Sequence, residues 1–175
     1  MKYCLRNIFR FIFNIIKQIT ISTVQRTDLL GIYNYYKIPN LYETSGQPNK
    51  QQLKLLSKKD YKVVINLAPS AIVKGRILNE EEILKSQKVN YIHIPVDFNN
   101  PTKSDFKKFV LNIEKYKNEK IWVHCAANMR VSAFTYKYRR DILNLDHDEI
   151  IDDLKAIWIP NKVWKSFLKL ENVEN

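Results

Sequence analysis

Short β-branched runs alternate with amphipathic helical segments along most of this chain, and this alternation constrains the fold more than any other feature. The run Lys62–Leu67 (KVVINL) is predicted to be a buried strand, because β-branched residues suit a pleated core position. Three more strands are predicted, at Leu41–Thr44, Tyr91–Val96 and Ile121–His124. Strands that alternate with helices favour an α/β fold. We therefore expect a three-layer sandwich: a central, mostly parallel sheet of four or five strands with helices on both faces.

Residues that commonly begin helices separate these strands. The predicted helices cover about 49–57, 79–85, 102–116, 131–143, 147–157 and 161–170. Asn49, Asn79 and Thr102 stand where side chains can accept hydrogen bonds from the amides of a first helical turn. Pro160 is expected to begin the last helix. In such a fold, ligands bind at the carboxyl ends of the parallel strands.

The composition indicates one catalytic domain. The 175 residues include only three glycines and six prolines, which are scattered, so no flexible linker divides the chain. We expect a domain over 31–175, preceded by an extension over 1–30. The formal net charge of +11 favours anionic partners, although a solvated lysine-rich surface explains it equally well. No nucleic-acid partner is expected.

The two cysteines, Cys4 and Cys125, are far apart in the sequence and form no CxxC pair. The three histidines are not spaced like metal ligands with them. We therefore expect no disulfide framework, no metal and no organic cofactor. The absence of a disulfide framework is typical of a reducing, cytoplasmic compartment.

Residues 1–22 are predicted to form a basic amphipathic helix, with lysines and arginines on one side and isoleucines and leucines on the other. Charged residues interrupt the apolar run, so it does not reach the ~20 apolar residues of a membrane span. Such a helix can lie on an anionic membrane surface, or it can pack on its own domain.

One stretch, residues 122–132 (WVHCAANMRVS), carries the residues for chemistry. A buried strand ends at Cys125, a tight turn follows, and a helix begins near Arg130 or Val131. Backbone amides at such a turn point into a common hollow, and the helix start adds positive potential. That environment stabilises a thiolate, and an arginine can hold two oxygens of an anion. A buried structural cysteine is the alternative, but the combination favours a nucleophile.

These residues resemble the protein tyrosine phosphatase superfamily, in its small dual-specificity-like branch, whose signature is His-Cys, five residues, Arg, then Ser or Thr. The chain is similar to a bacterial phosphatase-like subgroup that has a Ser-Gly-Gln-Pro turn before the first helix. Four segments carry the resemblance: Ser45–Pro48, Val64–Leu67, Ile94–Asp97 and His124–Cys125. The resemblance covers about residues 32–143. It implies a phosphatase fold and a phosphorylated substrate.

The resemblance also implies roles for individual residues. Cys125 corresponds to the nucleophile, Arg130 to the residue that binds the phosphoryl oxygens, and Asp97 to the general acid and later base. His124 is expected to hydrogen-bond backbone near the loop, and Ser132 stands at the hydroxyl position after the arginine. The implied phosphate-binding residues are Ala126, Ala127, Asn128, Met129 and Arg130. Asp97 is open to a second interpretation, as a turn-forming residue.

The signature differs from the family's at one point, because four residues rather than five separate Cys125 from Arg130. Asn128 stands where the family has its loop glycine, and asparagine is the usual substitute where a left-handed backbone is needed. The alternative is a shorter loop that resembles the rhodanese sulfurtransferases, in which the cysteine carries a persulfide. A third hypothesis is a module that binds phospho-anions without catalysis.

The substrate is expected to be a phosphorylated protein or a small phosphate ester. Residues 126–129 contain no lysine, whereas phosphatases of inositol lipids usually place lysines in this loop. A phosphoinositide is therefore disfavoured, although Lys74 and Arg76 on a neighbouring loop could supply the missing charge.

Overall fold

The computed structural model describes residues 28–69 and 79–170. In these ranges five strands form one sheet: β1 (Tyr36–Ile38), β2 (Tyr42–Ser45), β3 (Val63–Asn66), β4 (Asn90–His93) and β5 (Ile121–His124). The spatial order is β1-β2-β5-β3-β4. Only the edge strand β1 is antiparallel to its neighbour, so the prediction of a mostly parallel sheet is confirmed.

Strand β5 is central and brings its last residue between two parallel neighbours. His124 pairs in register with Ser45 of β2 and with Asn66 of β3, and Asn66 in turn pairs with His93 of β4. The carboxyl ends of four parallel strands therefore meet at one edge of the sheet. Cys125 is the first residue beyond β5 at this edge, where ligands bind in open α/β sheets.

Helices cover the sheet. In the described ranges they are a 3₁₀ helix (Leu29–Gly31), α1 (Lys50–Lys58), α2 (Glu80–Lys85), α3 (Lys103–Lys115), α4 (Met129–Asp141), α5 (His147–Ile157) and α6 (Lys162–Leu168). Asn49 caps α1 through the amides of Gln51 and Gln52 and completes a capping box with Gln52. Thr102 caps α3 through the amide of Asp105. Both predicted caps are confirmed.

Two hydrophobic cores, one on each face of the sheet, hold the three layers together. On one face Phe109 of α3 and Phe134 of α4 pack in the same cluster as Val123 of β5. On the other face Leu53 of α1 packs in the cluster that contains Trp122. All five side chains are fully buried, and each such burial contributes about 1.5–3 kcal/mol. The expected three-layer sandwich is confirmed.

Three predicted features near the ends of elements are wrong, each for a local reason. β4 ends at His93 rather than Val96, because Pro95 has no amide proton with which to continue a ladder. Asn79 precedes α2, but its backbone is left-handed (φ 80°) and its side chain makes no capping hydrogen bond. Pro160 does not begin α6, which starts at Lys162 and is capped by Asn161, whose side chain accepts a hydrogen bond from the amide of Trp164.

Two further elements refine the predictions. β1 is a three-residue edge strand, too short to give a clear alternation in the sequence. Helix α4 begins at Met129, two residues before the predicted start. No helix within residues 28–69 and 79–170 is long and apolar enough to cross a bilayer. The predicted amphipathic helix over 1–22 lies outside the described residues.

Candidate active site

Cys125 lies where β5 ends and the chain turns towards α4. Its amide donates a hydrogen bond to the carbonyl of Ser45 on β2, over 3.3 Å. Its side chain is a free thiol, is fully buried, and belongs to the core cluster on the α3–α6 face of the sheet. The residue that the sequence predicts as nucleophile is thus fixed by the sheet itself. We call residues 125–130 the cysteine loop.

Asn128 has the left-handed backbone that was predicted for it, with φ 63° and ψ −3°. Its side-chain amide donates to the carbonyl of Asn34 over 2.7 Å and to the hydroxyl of Thr44 over 2.9 Å. The side chain is fully buried. Asn128 therefore does two things that a glycine cannot do together: it makes the tight turn and ties the loop to β2 and to the segment before β1.

The Ser-Gly-Gln-Pro turn supports the cysteine loop from outside. The amide of Gln47 donates to the carbonyl of Ala126 over 3.3 Å, and Gly46 forms a β-bridge with Ala127. A Cβ atom at Gly46 would lie 3.1 Å from the carbonyl oxygen of Ala126, so any larger residue would press on the loop. Asn34 completes this support by donating to the carbonyl of Ala127 over 3.0 Å.

Several amides of the cysteine loop and the start of α4 are left without a protein acceptor. Among the described residues, no acceptor takes the amide protons of Ala126, Met129, Arg130 or Val131. The last three are the first amides of a 13-residue helix, which have no intrahelical partner and carry the positive end of its dipole. This arrangement can bind an oxyanion next to the Cys125 sulfur.

Arg130 links the cysteine loop to the loop that carries Asp97, which we call the Asp97 loop (residues 94–102). Its Nε donates to the carbonyl of Val96 over 2.9 Å, and its guanidinium lies over the ring of Phe98, 5.0 Å from the centroid. The side chain is only 7% exposed. Its two Nη atoms have no hydrogen-bond partner among the described residues, so they can still hold two oxygens of an anion.

Asp97 is exposed and forms a local turn. Its Oδ1 accepts a hydrogen bond from the amide of Asn99 over 2.9 Å, and its carbonyl accepts one from Asn100 over 3.3 Å. The turn-forming interpretation of Asp97 is therefore confirmed. The general-acid role of Asp97 stays a prediction. The turn is compatible with that role, because Asp97 directly follows Val96, whose carbonyl accepts the hydrogen bond from Arg130.

His124 has a different partner from the one predicted. Its Nε2 lies 2.6 Å from Oε1 of Glu80, and both side chains are fully buried. The expected hydrogen bond from His124 to backbone is absent among the described residues, so that prediction is wrong. Burial by itself raises the pKa of the Glu80 carboxyl. The charge of His124, the hydrogen bonds from His124 and Gln47, and the charge of His93 outweigh burial and lower that pKa below its usual value.

Ser132 lies in the first turn of α4, where its Oγ donates to the carbonyl of Met129 over 3.0 Å. Among the described residues, no hydroxyl hydrogen-bonds the Cys125 thiol. Ser132 thus stabilises the first turn of α4. Its predicted supporting role in the site, as the hydroxyl after the arginine, stays a prediction. No group of three or more histidine, cysteine or acidic residues in the described ranges could hold a metal ion.

The sequence gives weak signals for two residues that matter here. Glu80 is one of three acidic residues in the first turn of α2, a pattern that is common at any helix start. Asn34 stands outside every motif. Both contact the cysteine loop or its strand only because the sheet brings distant segments together.

A family model described as "DSP-PTPase phosphatase fused to NAD+ Kinase" matches residues 37–156 of this chain. No curated protein sequence is significantly similar to it. Among solved structures, the chain is similar to a putative phosphatase from Shewanella putrefaciens CN-32, with 31% sequence identity and a TM-score of 0.70. That match covers 81% of this chain and 93% of the other.

Two more distant structures share the fold. TpbA of P. aeruginosa is 15% identical, with a TM-score of 0.62, and the match covers 81% of this chain and 87% of TpbA. PTPMT1, solved in complex with PI(5)P, is 19% identical, with a TM-score of 0.65, and the match covers 78% of this chain and 92% of PTPMT1.

Proposed function

The chain belongs to the family of DSP-PTPase phosphatases fused to NAD+ kinase, and we propose that it hydrolyses phosphate monoesters through a cysteinyl-phosphate intermediate on Cys125. The family match and the 31% identical phosphatase establish a cysteine-based phosphatase in general. The intermediate, the roles of individual residues and the substrate belong to our proposal.

One observation carries the proposal: within residues 28–69 and 79–170, no acceptor takes the amide protons of Ala126, Met129, Arg130 and Val131, which lie in the cysteine loop and the first turn of α4. Amides that are fixed before the substrate arrives stabilise developing negative charge without reorganisation. They are adjacent in sequence to Cys125, so the same amides can support both the thiolate and the phosphoryl oxygens that it attacks.

The reaction proceeds in two steps. The Cys125 thiolate attacks phosphorus, an S–P bond forms and the P–O ester bond breaks, and the leaving oxygen takes a proton from Asp97. Water then attacks the phosphorus of the cysteinyl-phosphate and gives its proton to the Asp97 carboxylate. The S–P bond breaks, and inorganic phosphate and the thiolate are released. The two Nη atoms of Arg130 hold the non-bridging oxygens in both steps.

The position of Asn128 supports the phosphatase register over the shorter, rhodanese-like loop. Its left-handed backbone is the conformation expected at the family's loop glycine. The substrate that we propose is a phosphorylated protein or a small phosphate ester. TpbA, which shares the fold, has been solved in complex with phosphotyrosine, and this favours the protein substrate.

The test is hydrolysis of an aryl phosphate by the full chain. We expect turnover in the wild type and none in Cys125→Ser, because a serine hydroxyl is not ionised at neutral pH. The Cys125→Ser variant should still bind inorganic phosphate. Cys4→Ser, which removes the other cysteine, is the control and should retain turnover. Phosphate binding without turnover in the wild type would favour the non-catalytic module, and thiosulfate-to-cyanide sulfur transfer without phosphatase activity would favour the sulfurtransferase.

A peripheral membrane contact through residues 1–22 stays a prediction from the sequence. If it is correct, the full chain should bind anionic vesicles, salt should weaken the binding, and deletion of 1–22 should abolish it. An intact chain that ignores such vesicles, together with a deletion variant that unfolds, would show instead that the segment packs on its own domain.

A further inference from the structure

Two tryptophans contact the Asp97 loop, and the proposed mechanism uses neither. Trp158 follows the end of α5 and Trp164 lies in α6, and both are buried. Both stand beyond residues 37–156, so the family match does not include them. Their rings pack on Phe98, the residue after Asp97, with centroid distances of 5.5 Å from Trp158 and 5.6 Å from Trp164. The acid loop therefore has an aromatic support from the last part of the described chain.

Trp164 also holds the backbone of the loop. Its Nε1 donates a hydrogen bond to the carbonyl of Phe98 over 2.9 Å. On the other side of Asp97, the carbonyl of Val96 accepts the hydrogen bond from Nε of Arg130, also over 2.9 Å. The residues before and after Asp97 are thus each held by a side chain from a different helix, Arg130 from α4 and Trp164 from α6. These two contacts fix the position of the Asp97 backbone.

Trp158 makes the same ring contact without the hydrogen bond. Its Nε1 is buried and has no hydrogen-bond partner among the described residues. Its ring packs against that of Trp164 as well, with the centroids 6.0 Å apart. The two tryptophans therefore allow aromatic packing on Phe98, which both provide, to be separated from the hydrogen bond to the loop backbone, which Trp164 provides.

Helix α6 is itself fixed to α4, the helix that begins at the cysteine loop. The ring of Trp164 packs against Phe134 of α4, with the centroids 6.1 Å apart. Near the end of α6, the carbonyl of Leu168 accepts a hydrogen bond from Nη1 of Arg140 in α4 over 2.6 Å. Through α6, the Asp97 loop is therefore held to the helix whose first amides can bind phosphoryl oxygens.

The effect of a general acid depends on its position. The acid has to lie within hydrogen-bond distance of the leaving oxygen, and a displacement of ~1 Å can slow a reaction ~10²-fold. The turn in which Asp97 accepts the amide of Asn99 is local. It sets the shape of the loop but not the distance of the loop from the cysteine loop. Contacts from α4 and α6 have to set that distance.

We propose that Trp164 is a positioning residue of the phosphatase site: its hydrogen bond to the Phe98 carbonyl holds Asp97 where it protonates the leaving oxygen. This proposal rests on the proposed function. Trp164 acts through the position of Asp97 and takes no part in binding the phosphoryl group. Its loss should therefore impair the departure of a poor leaving group and leave phosphate binding unchanged.

The experiment compares kcat/KM for two substrates of the full chain: phenyl phosphate, which has a poor leaving group, and para-nitrophenyl phosphate, which has a more acidic one. Trp164→Phe keeps an aromatic ring and removes the N–H donor. It should lower kcat/KM for phenyl phosphate by about 10–10²-fold, up to the cost of a ~1 Å misplacement. The loss for para-nitrophenyl phosphate should be much smaller, because that oxyanion departs more readily without a proton. Inhibition by inorganic phosphate should not change.

Trp158→Phe is the matched control. It removes a similar ring area from the contact with Phe98 but no hydrogen bond, so the ratio of the two kcat/KM values should equal that of the wild type. In an Asp97→Asn background, Trp164→Phe should cause no further loss on phenyl phosphate, because its effect passes through the carboxyl group. A further loss of the same size in that background would contradict the proposal.

Equal losses on both substrates in Trp164→Phe would overturn the proposal, since they would reflect general damage to the fold. If Trp164→Phe does not fold, the isosteric amino acid benzothienylalanine at position 164 replaces it, because it keeps two fused rings and lacks the N–H. A wild-type ratio of the two kcat/KM values in that variant would overturn the proposal equally.

Failure of the proposed function gives a different result. A wild type that hydrolyses neither ester would overturn the proposed function, and amide exchange then tests the hold on the loop without catalysis. The amides of Asn99 and Asn100 donate to Asp97. Faster exchange of these amides in Trp164→Phe than in Trp158→Phe would support the positioning of the loop by Trp164, and equal exchange would overturn it.

Discussion

The two ends of the cysteine loop are held by different kinds of contact. At the first end, Cys125 and Asn128 are fixed by hydrogen bonds to Ser45 and Thr44 of β2 and to Asn34, which precedes β1. At the second end, the Nε of Arg130 donates to the carbonyl of Val96 in the Asp97 loop, not to a strand of the sheet. The first end is therefore part of the fold, and the second joins the two loops that carry the arginine and the acid of the proposed mechanism.

Because of this difference, substitutions at the two ends should have different effects on the free energy of unfolding and on turnover. Changes at the first end remove buried hydrogen bonds and should lower the free energy of unfolding. Changes at the second end should affect turnover more than stability. Asp97 is exposed, and the Nη atoms of Arg130 have no hydrogen-bond partner among the described residues, so they are available to a ligand.

Asp97→Asn should slow the hydrolysis of an aryl phosphate by about 10²–10⁴-fold, as is typical for loss of a general acid. The loss should shrink for esters whose leaving groups are already acidic, because such an oxyanion departs without a proton. Stability should hardly change, since an asparagine Oδ1 can still accept the turn hydrogen bond from Asn99. Steady-state kinetics over a series of leaving groups measures the effect.

The control for Asp97→Asn is Asp146→Asn. Asp146 makes the same kind of turn, accepting the amide of Asp148 over 2.9 Å, at the start of α5. It should leave the rate unchanged. Equal rates for Asp97→Asn and wild type on a poor leaving group would remove Asp97 from the mechanism.

Arg130→Lys should reduce kcat/KM by about 10²–10³-fold, the range seen when one oxyanion donor is removed. A lysine ammonium is a point charge that cannot contact the Val96 carbonyl and two phosphoryl oxygens together. Inhibition by inorganic phosphate should weaken as well. In the control Arg139→Lys, the charge that pairs with Asp153 on α5 is kept, and turnover should persist.

Asn128→Ala should lower the free energy of unfolding by about 2–4 kcal/mol, from two buried hydrogen bonds and the left-handed backbone. Asn128→Gly removes the strain of the left-handed backbone, so it should lower the free energy of unfolding by about 1–2 kcal/mol less than Asn128→Ala. Asn144 is also left-handed (φ 54°) but exposed, so Asn144→Ala isolates the cost of the backbone alone. Urea denaturation measures all three. A loss at Asn128 no greater than that at Asn144 would contradict the role of the buried hydrogen bonds.

The smallest predicted effect is on acid stability. The folded state lowers the pKa of Glu80, so the unfolded chain binds this proton more readily. The stabilisation is therefore present above the ordinary glutamate pKa and is lost as the pH falls below it towards the folded value. In Glu80→Gln, the stability should therefore fall less steeply than in the wild type as the pH is lowered, as measured by thermal unfolding. An unchanged acid limb would show that Glu80 contributes nothing there.

Features that depend on neighbours along the chain could be predicted from the amino-acid sequence. The strand predicted over Lys62–Leu67, the helix cap at Asn49 and the left-handed turn at Asn128 all follow from local backbone preferences, and the structure has a strand over Val63–Asn66, the cap and the turn. The position of Cys125 beyond β5 follows in the same way, because a buried strand followed by a helix start is a local pattern.

The distant residues that meet at the cysteine loop could not be predicted, because they are brought together by the arrangement of strands and helices. Asn34 and Asn128 are 94 residues apart, and Val96 and Arg130 are 34 apart, so no local preference selects these pairs. The same holds for Glu80 and His124, which meet because α2 covers the face of the sheet to which His124 points. Local propensity fixes the direction of each side chain from its own backbone, whereas its partner depends on the order of strands in the sheet and the helices packed against it.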